Sequence, residues 1–196
     1  NQIAYVFQNA SIALNPYKKI GNQLMGVLKR HGLPQSKEKI LDTLASVGIS
    51  DADTVYDMYP FQLSGGQNQR IMIAQGIVCG PDLLIADEPT SSVDVSLRKV
   101  ILDVLSEINQ RTGMTVLLIT HDFEVVGYIC HRVVVMYGGL VMEEGSMDDV
   151  MNNPLHPYTK ALIKCSQSLH ESGAEIFTLA GAPPTPLEFK TVCPFG

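Results

Sequence analysis

The sequence predicts an α/β fold built on a parallel sheet, and three observations carry that prediction. Two short apolar runs with β-branched content, residues 83–86 and 115–119, are separated by a helix-period stretch, 97–110, that stops before Gly113. A third run, residues 3–7, reads as a short buried strand. Strands that alternate with helices pair in parallel through right-handed crossovers. Such sheets present the residues just beyond each strand at their carboxyl edge, where ligands bind.

The remaining elements follow in chain order. From residue 20 to 47 apolar and polar residues recur at helical spacing, broken at Gly32-Leu33-Pro34, which predicts two helices and a turn. Ser36 has the position of an N-cap, Lys37-Glu38-Lys39-Ile40-Leu41 opens the second helix and Gly48 closes it. Residues 67–78 predict another helix, launched from a Gly65-Gly66 turn that lies at the positive end of its dipole. Residues 133–137 and 140–143 predict a hairpin, because Gly138-Gly139 between them supplies the positive φ of a two-residue turn. Ser146-Met147-Asp148-Asp149 has the form of a capped helix start. There is no internal repeat and no low-complexity segment.

Composition narrows the function. Apolar residues make up 45% of the chain and charged residues 17%, enough to bury a core, while the longest apolar runs fall far below the ~18–20 residues that span a bilayer. A soluble intracellular protein is expected. The net charge of −6 and pI near 5.3, without a clustered Lys/Arg stripe, argue against nucleic acid as the main partner. Asn1-Gln2-Ile3-Ala4-Tyr5-Val6 has neither a basic n-region nor an initiator methionine, so a truncated start is expected rather than a signal peptide. Cys79, Cys130, Cys165 and Cys193 are scattered without a C-x-x-C pair and are expected as reduced thiols, with Cys79 and Cys130 as small core hydrophobes.

The chemistry is concentrated in two motifs. In Leu63-Ser64-Gly65-Gly66-Gln67, glycines let backbone N–H groups close on an anion; in Leu83-Leu84-Ile85-Ala86-Asp87-Glu88-Pro89-Thr90, an apolar strand delivers two carboxylates to a sheet edge. Asp87 suits a Mg²⁺ ligand, either direct or through a bound water, because a hard dication takes carboxylate or water oxygens, and Glu88 suits a general base that orients or deprotonates a water. Gln8, neutral and just past a strand, could coordinate Mg²⁺ or position water through its carbonyl oxygen. Among the histidines, only His121 follows an apolar strand in a Thr-His-Asp context, so His31, His131 and His170 are expected as structural or solvated.

These residues resemble the signature loop and Walker B strand of the ATP-binding-cassette (ABC) ATPases. The resemblance extends along nearly the whole chain and in the family's order: Val6-Phe7-Gln8 resembles the Q-loop, Ser91-Ser92-Val93-Asp94 the D-loop, and Ile119-Thr120-His121-Asp122 the switch-histidine loop. It implies a partial P-loop NTPase (RecA-like) parallel sheet with an inserted all-helical ABC subdomain and a short C-terminal extension. The implied division is 1–8 as the end of the core with the Q-loop, 9–78 as the helical subdomain with the signature, 79–150 as the core with Walker B, D-loop and switch histidine, and 151–196 as the extension. The residues contain no G-x-x-x-x-G-K-[ST] stretch to hold the β- and γ-phosphates, so the chain is expected to be a cassette without its front part.

The resemblance also implies roles. Glu88 would be the general base, His121 the sensor of the γ-phosphate, and Asp87 with Gln8 the Mg²⁺ site. Gln8 would further mark the hinge to the helical subdomain that touches a membrane partner. Ser64, Gly65, Gly66 and Gln67 would contact ATP bound by an opposing cassette, and Asp94 would cross that dimer interface, although Ser92-Val93 departs from the more usual Ala-Leu. Asn153-Pro154-Leu155-His156-Pro157-Tyr158-Thr159-Lys160-Ala161-Leu162 resembles a segment of cassettes powering dipeptide, oligopeptide and nickel import, as do Asn15-Pro16 and the proline-rich residues 181–187, with Cys193-Pro194 after them. His156 between prolines reads as a fixed turn rather than a metal ligand.

The expected function is thus the ATPase subunit of a bacterial peptide or nickel importer. ATP and Mg²⁺ would be used at the cytoplasmic membrane face, with permease subunits and a second ATPase subunit as partners and an extracytoplasmic binding protein as an indirect one. On their own these residues are expected to be inactive. A nucleotide-free module that docks on a permease or partner cassette is the alternative. A soluble ABC protein acting on ribosomes or DNA would call for basic patches or a long charged insertion, and neither is present.

Overall fold

A parallel sheet in strand order β1-β2-β3 forms the centre of the molecule's first unit, with β1 (Ile3–Val6), β2 (Leu83–Asp87) and β3 (Thr115–Ile119) in the predicted places. The structure is a computed structural model that describes residues 2–91, 93–170, 193 and 195. It divides into two units, Asn1–His121 and Asp122–Gly196. The proline-rich stretch 181–187 lies outside the described residues.

Register fixes which side chains share a face. Tyr5 pairs with Ile85 and Ile85 with Leu117, while Val6 pairs with Ala86 and Ala86 with Leu118. Side chains alternate across a strand, so Val6, Leu84 and Ala86 point to one face and are fully buried. The opposite face carries Ile3, Tyr5, Leu117 and Ile119, all exposed.

Among the described residues, six α-helices complete this unit: α1 (Ala10–Ala13), α2 (Ile20–Arg30), α3 (Lys37–Ser46), α4 (Ala52–Tyr56), α5 (Gly65–Ile77) and α6 (Val95–Thr112), with a 3-10 turn at Pro60–Gln62 before α5. Each long helix buries an apolar stripe at helical spacing: Ile20, Leu24 and Leu28 on α2, Ile40 and Leu44 on α3, Ile101, Leu105 and Ile108 on α6. Full burial of one such side chain is worth roughly 1.5–3 kcal/mol, and these stripes form the core. Helix α5 lies flush on the buried sheet face. A Cβ at Gly76 would come within 3.2 Å of both Leu84 and Val6.

The expected caps are present. Ser36 Oγ accepts from the Lys39 N–H at 3.1 Å, and Gly48 leaves α3 at φ 77°. Helix α6 runs two residues further than expected at each end and stops at Gly113, which takes φ 70°. Helix α5 begins at Gly65 rather than at residue 67, because Ser64 caps it from one residue earlier. The short helices α1 and α4 were not expected; each is too short to display a period.

In the second unit, α7 (Phe123–Ile129) is capped by Asp122 Oδ1, which accepts from the Glu124 N–H at 2.9 Å. Strands β4 (Arg132–Tyr137) and β5 (Leu140–Ser146) form the expected hairpin, turning through Gly138 and Gly139 at φ 56° and 82°. Ser146 Oγ accepts from the Asp149 N–H at 3.1 Å to start α8 (Met147–Asn152), and α9 (Pro157–His170) follows. Among the described residues no helix is long and apolar enough to cross a membrane.

Candidate functional site

The three parallel strands end at one edge, and each delivers a site residue there. Gln8 lies two residues beyond β1, Asp87 ends β2 with Glu88 directly after it, and His121 lies two residues beyond β3. All four sequence-predicted hydrolytic residues therefore share the carboxyl edge of the sheet. A parallel topology is what achieves this, since antiparallel neighbours would alternate the ends.

Glu88 is held in an unusual backbone state. Its φ is 47°, and among the described residues it alone has a positive φ without being glycine. Its N–H donates to the Ile119 carbonyl at 2.8 Å, fastening the end of β2 to the end of β3. Its carbonyl accepts from the Ser91 N–H at 3.2 Å and from Ser91 Oγ at 3.0 Å. Left-handed backbone at a non-glycine residue costs of order 1–2 kcal/mol, and these bonds maintain it. The result aims the Glu88 carboxylate at His121, whose Nδ1 contacts Glu88 Oε1 directly. The carboxylate is 19% exposed and the imidazole 82%, so a sheltered anion faces an open ring.

Asp87 has a partner that sequence reasoning did not identify. The Tyr5 hydroxyl donates to Asp87 Oδ2 at 2.5 Å. The carboxylate holds the Tyr5 phenol above its ordinary pKa, chiefly through this hydrogen bond. Tyr5 also packs on Phe7, ring centroids 4.9 Å apart. The only available signal was strand alternation, which put Tyr5 and Phe7 on one face.

The signature turn is built as a helix cap. Ser64 Oγ accepts from the Gln67 N–H at 3.2 Å, and Gln67 Oε1 accepts from the Ser64 N–H at 2.9 Å, so the two side chains close a reciprocal box. Gly66 permits close contact with α6: a Cβ there would lie 2.8 Å from Leu97 Cδ1. Leu97 belongs to the first turn of α6, whose N-cap is the exposed Asp94. The N-terminal ends of α5 and α6, which carry the signature and Asp94, thus pack together through Gly66 and Leu97. A second missed residue, Arg70, anchors this region by donating from Nη1 to the Gly48 carbonyl at 2.5 Å and from Nε to the Gly66 carbonyl at 3.3 Å.

Mg²⁺ is satisfied by one or two carboxylates, with waters and substrate phosphates completing six oxygens. The donors at the sheet edge, the Asp87 carboxylate and the Gln8 amide carbonyl, are hard oxygens that fit such an ion. Asp87 Oδ1 is the oxygen not engaged by the Tyr5 bond.

In the second unit, Glu143 organises the Pro-His-Pro turn. Its two oxygens accept from the Leu155 N–H at 2.7 Å and the His156 N–H at 3.0 Å. His156 Nδ1 accepts from the Tyr158 N–H at 3.1 Å, capping α9. This is the fixed turn expected at His156. Burial of Glu143 opposes its charge, but the donated bonds outweigh it and hold the carboxyl below its ordinary value. Cys193 Sγ lies 3.5 Å from His156 Nε2, and among the described residues no group of three or more potential ligands could hold a metal. Cys79 and Cys130 are half-buried, and burial pushes both thiols up.

Two family models match the chain: "ABC transporter" over residues 1–91 and "Oligopeptide/dipeptide transporter, C-terminal region" over residues 142–196. The chain belongs to the ABC transporter family. This ABC chain is 41% identical to the oligopeptide transport ATP-binding protein OppD of Salmonella typhimurium over 197 residues, covering 99% of the chain and 59% of the relative. It is 42% identical to the dipeptide transport ATP-binding protein DppD of Bacillus subtilis over 196 residues, covering 98% and 58%. With DppD of Haemophilus influenzae the identity is 40% over 194 residues, covering 97% and 59%. The chain thus spans under two thirds of the length of the curated relatives it matches.

Proposed function

We propose that this chain is the greater part of the ATP-hydrolysing subunit of a peptide or nickel importer. The observation that carries the reading is the arrangement of Gln8, Asp87, Glu88 and His121 along one sheet edge, with Glu88 and His121 in contact. The importer assignment rests on the similarity to OppD and DppD, which are transport ATP-binding proteins for oligopeptides and dipeptides by their names. The segments 1–8 and 79–150 carry the hydrolytic residues, 9–78 the signature, and 151–196 the importer-type extension.

The reaction is ATP + water → ADP + phosphate. Glu88 accepts a proton from, or orients, the water that attacks the γ-phosphorus, and its shelter from solvent favours that role. His121, open to solvent, donates to a γ-phosphate oxygen and so reports whether the phosphate is present. Asp87 and Gln8 would hold Mg²⁺, which would supply charge neutralisation at the phosphates when bound. Ser64, Gly65, Gly66 and Gln67 contact nucleotide held by a second ATPase subunit, with the Ser64 and Gln67 N–H groups closing the capping box that fixes the turn, and Asp94 lies at that interface. The permease is the membrane partner, an extracytoplasmic binding protein acts through it, and the subunit works at the cytoplasmic membrane face.

Residues 1–196 contain no phosphate-cradling G-x-x-x-x-G-K-[ST] loop, and positioning by such a loop provides much of the catalysis in this chemistry. By themselves they neither bind Mg-ATP tightly nor hydrolyse it. Calorimetry with and without an added polypeptide that carries such a loop tests this: binding that appears only after the addition is expected, and tight binding by residues 1–196 alone overturns it. The second reading, a nucleotide-free module that docks on a permease or partner cassette, is favoured by the same missing loop. Capture by the permease in the absence of ATP would support it.

A further inference from the structure

We propose that Tyr5 is a positioning residue for Asp87, holding one carboxylate oxygen by a hydrogen bond so that the other is presented to Mg²⁺ in a fixed orientation. The inference rests on the reading of Asp87 as a Mg²⁺ ligand and extends it to a residue that no motif contains.

The geometry begins with the register. Tyr5 pairs with Ile85, and Asp87 lies two residues further along the same face of the neighbouring strand, a diagonal that a long aromatic side chain spans. The 2.5 Å bond from the Tyr5 hydroxyl to Oδ2 closes it across 82 sequence positions. Phe7, the next residue on that face of the chain, packs its ring at 53° to that of Tyr5 and limits the ring's swing. A carboxylate at a strand end otherwise rotates about χ2 with little restraint. A single neutral donor on Oδ2 removes that freedom, leaves the net charge at −1, and keeps Oδ1 available. Partners that orient metal-ligating carboxylates typically matter about tenfold or more in affinity when removed.

The deciding experiment uses the full-length ATP-binding subunit and Mn²⁺ as the probe, with free Mn²⁺ counted by paramagnetic resonance in the presence of ATP. Nucleotide affinity is measured separately in chelator. Tyr5→Phe keeps the ring against Phe7 and removes only the hydroxyl. It is expected to weaken Mn²⁺ binding about tenfold while metal-free ATP affinity is unchanged. Unchanged Mn²⁺ affinity in Tyr5→Phe, with loss in Asp87→Asn, would overturn the positioning role and leave the metal reading standing. Unchanged affinity in both variants would overturn the metal reading and the inference with it. A parallel fall in metal-free ATP affinity would mean that Tyr5 supports the fold instead.

Discussion

At the scale of single residues, the site is an asymmetry between a sheltered carboxylate and an open imidazole. Glu88 is fastened by backbone bonds to Ile119 and Ser91 and is largely sheltered, whereas His121 stands in solvent. A change in Glu88 therefore removes chemistry without removing structure. In the full-length subunit, Glu88→Gln should reduce the hydrolysis rate by about a hundredfold or more while leaving nucleotide affinity near wild type, measured as phosphate release against equilibrium binding. Equal losses in both quantities would show that Glu88 serves binding instead. The place of Asp87, Glu88, Gln8 and His121 at the sheet edge was legible in the sequence because each ends a strand-like run or follows one within two residues. The Tyr5 bond was not, because its partners are 82 positions apart and nothing local to either marks the pairing. The left-handed backbone of Glu88 was hidden for a related reason: glycine advertises positive φ, and glutamate does not.

Among the elements, the joint between α5 and α6 carries the signature. Leu97 fills the space where a Gly66 side chain would be, 2.8 Å from the position of its Cβ. Gly66→Ala should force Leu97 or the helix ends apart and lower stability by about 1–3 kcal/mol in urea unfolding, whereas Gly65→Ala, with open space around it, should cost less than about 1 kcal/mol. The turn before α9 gives the pH-dependent case. Glu143 has its pKa lowered on folding, so its bonds to Leu155 and His156 stabilise the unit above the unfolded carboxyl pKa, and that contribution is lost as pH falls through the lower folded value. Wild type should lose thermal stability below about pH 4 more steeply than Glu143→Gln. Parallel melting curves for the two would refute the assignment. Element types were readable where periods were long or caps were marked, as at Ser36 and Ser146. Helix α5 began two residues early because its cap, a Ser-Gln reciprocal box, was read as a glycine turn.

At the scale of the whole molecule, among the described residues the sheet of the first unit buries one face and leaves apolar side chains exposed on the other. All-parallel sheets are ordinarily covered on both faces, yet Leu117 and Ile119 are 50% and 45% exposed beside exposed Ile3 and Tyr5. A polypeptide of residues 1–196 should therefore bind hydrophobic dyes and self-associate at micromolar concentration. Sedimentation velocity checks this, and a monodisperse monomer that leaves the dye dark would count against the open face. The strain at Glu88 has a consequence of another kind. Glycine there would keep the N–H bond to Ile119 and relax a φ of 47°, a gain of about 1 kcal/mol against the entropy of a freer unfolded chain. The two terms largely offset one another, so glycine there would change stability little while removing the carboxylate that faces His121. On the proposed reading of Glu88 as the general base, the torsion is borne for the sake of the carboxylate it aims rather than of the turn it makes.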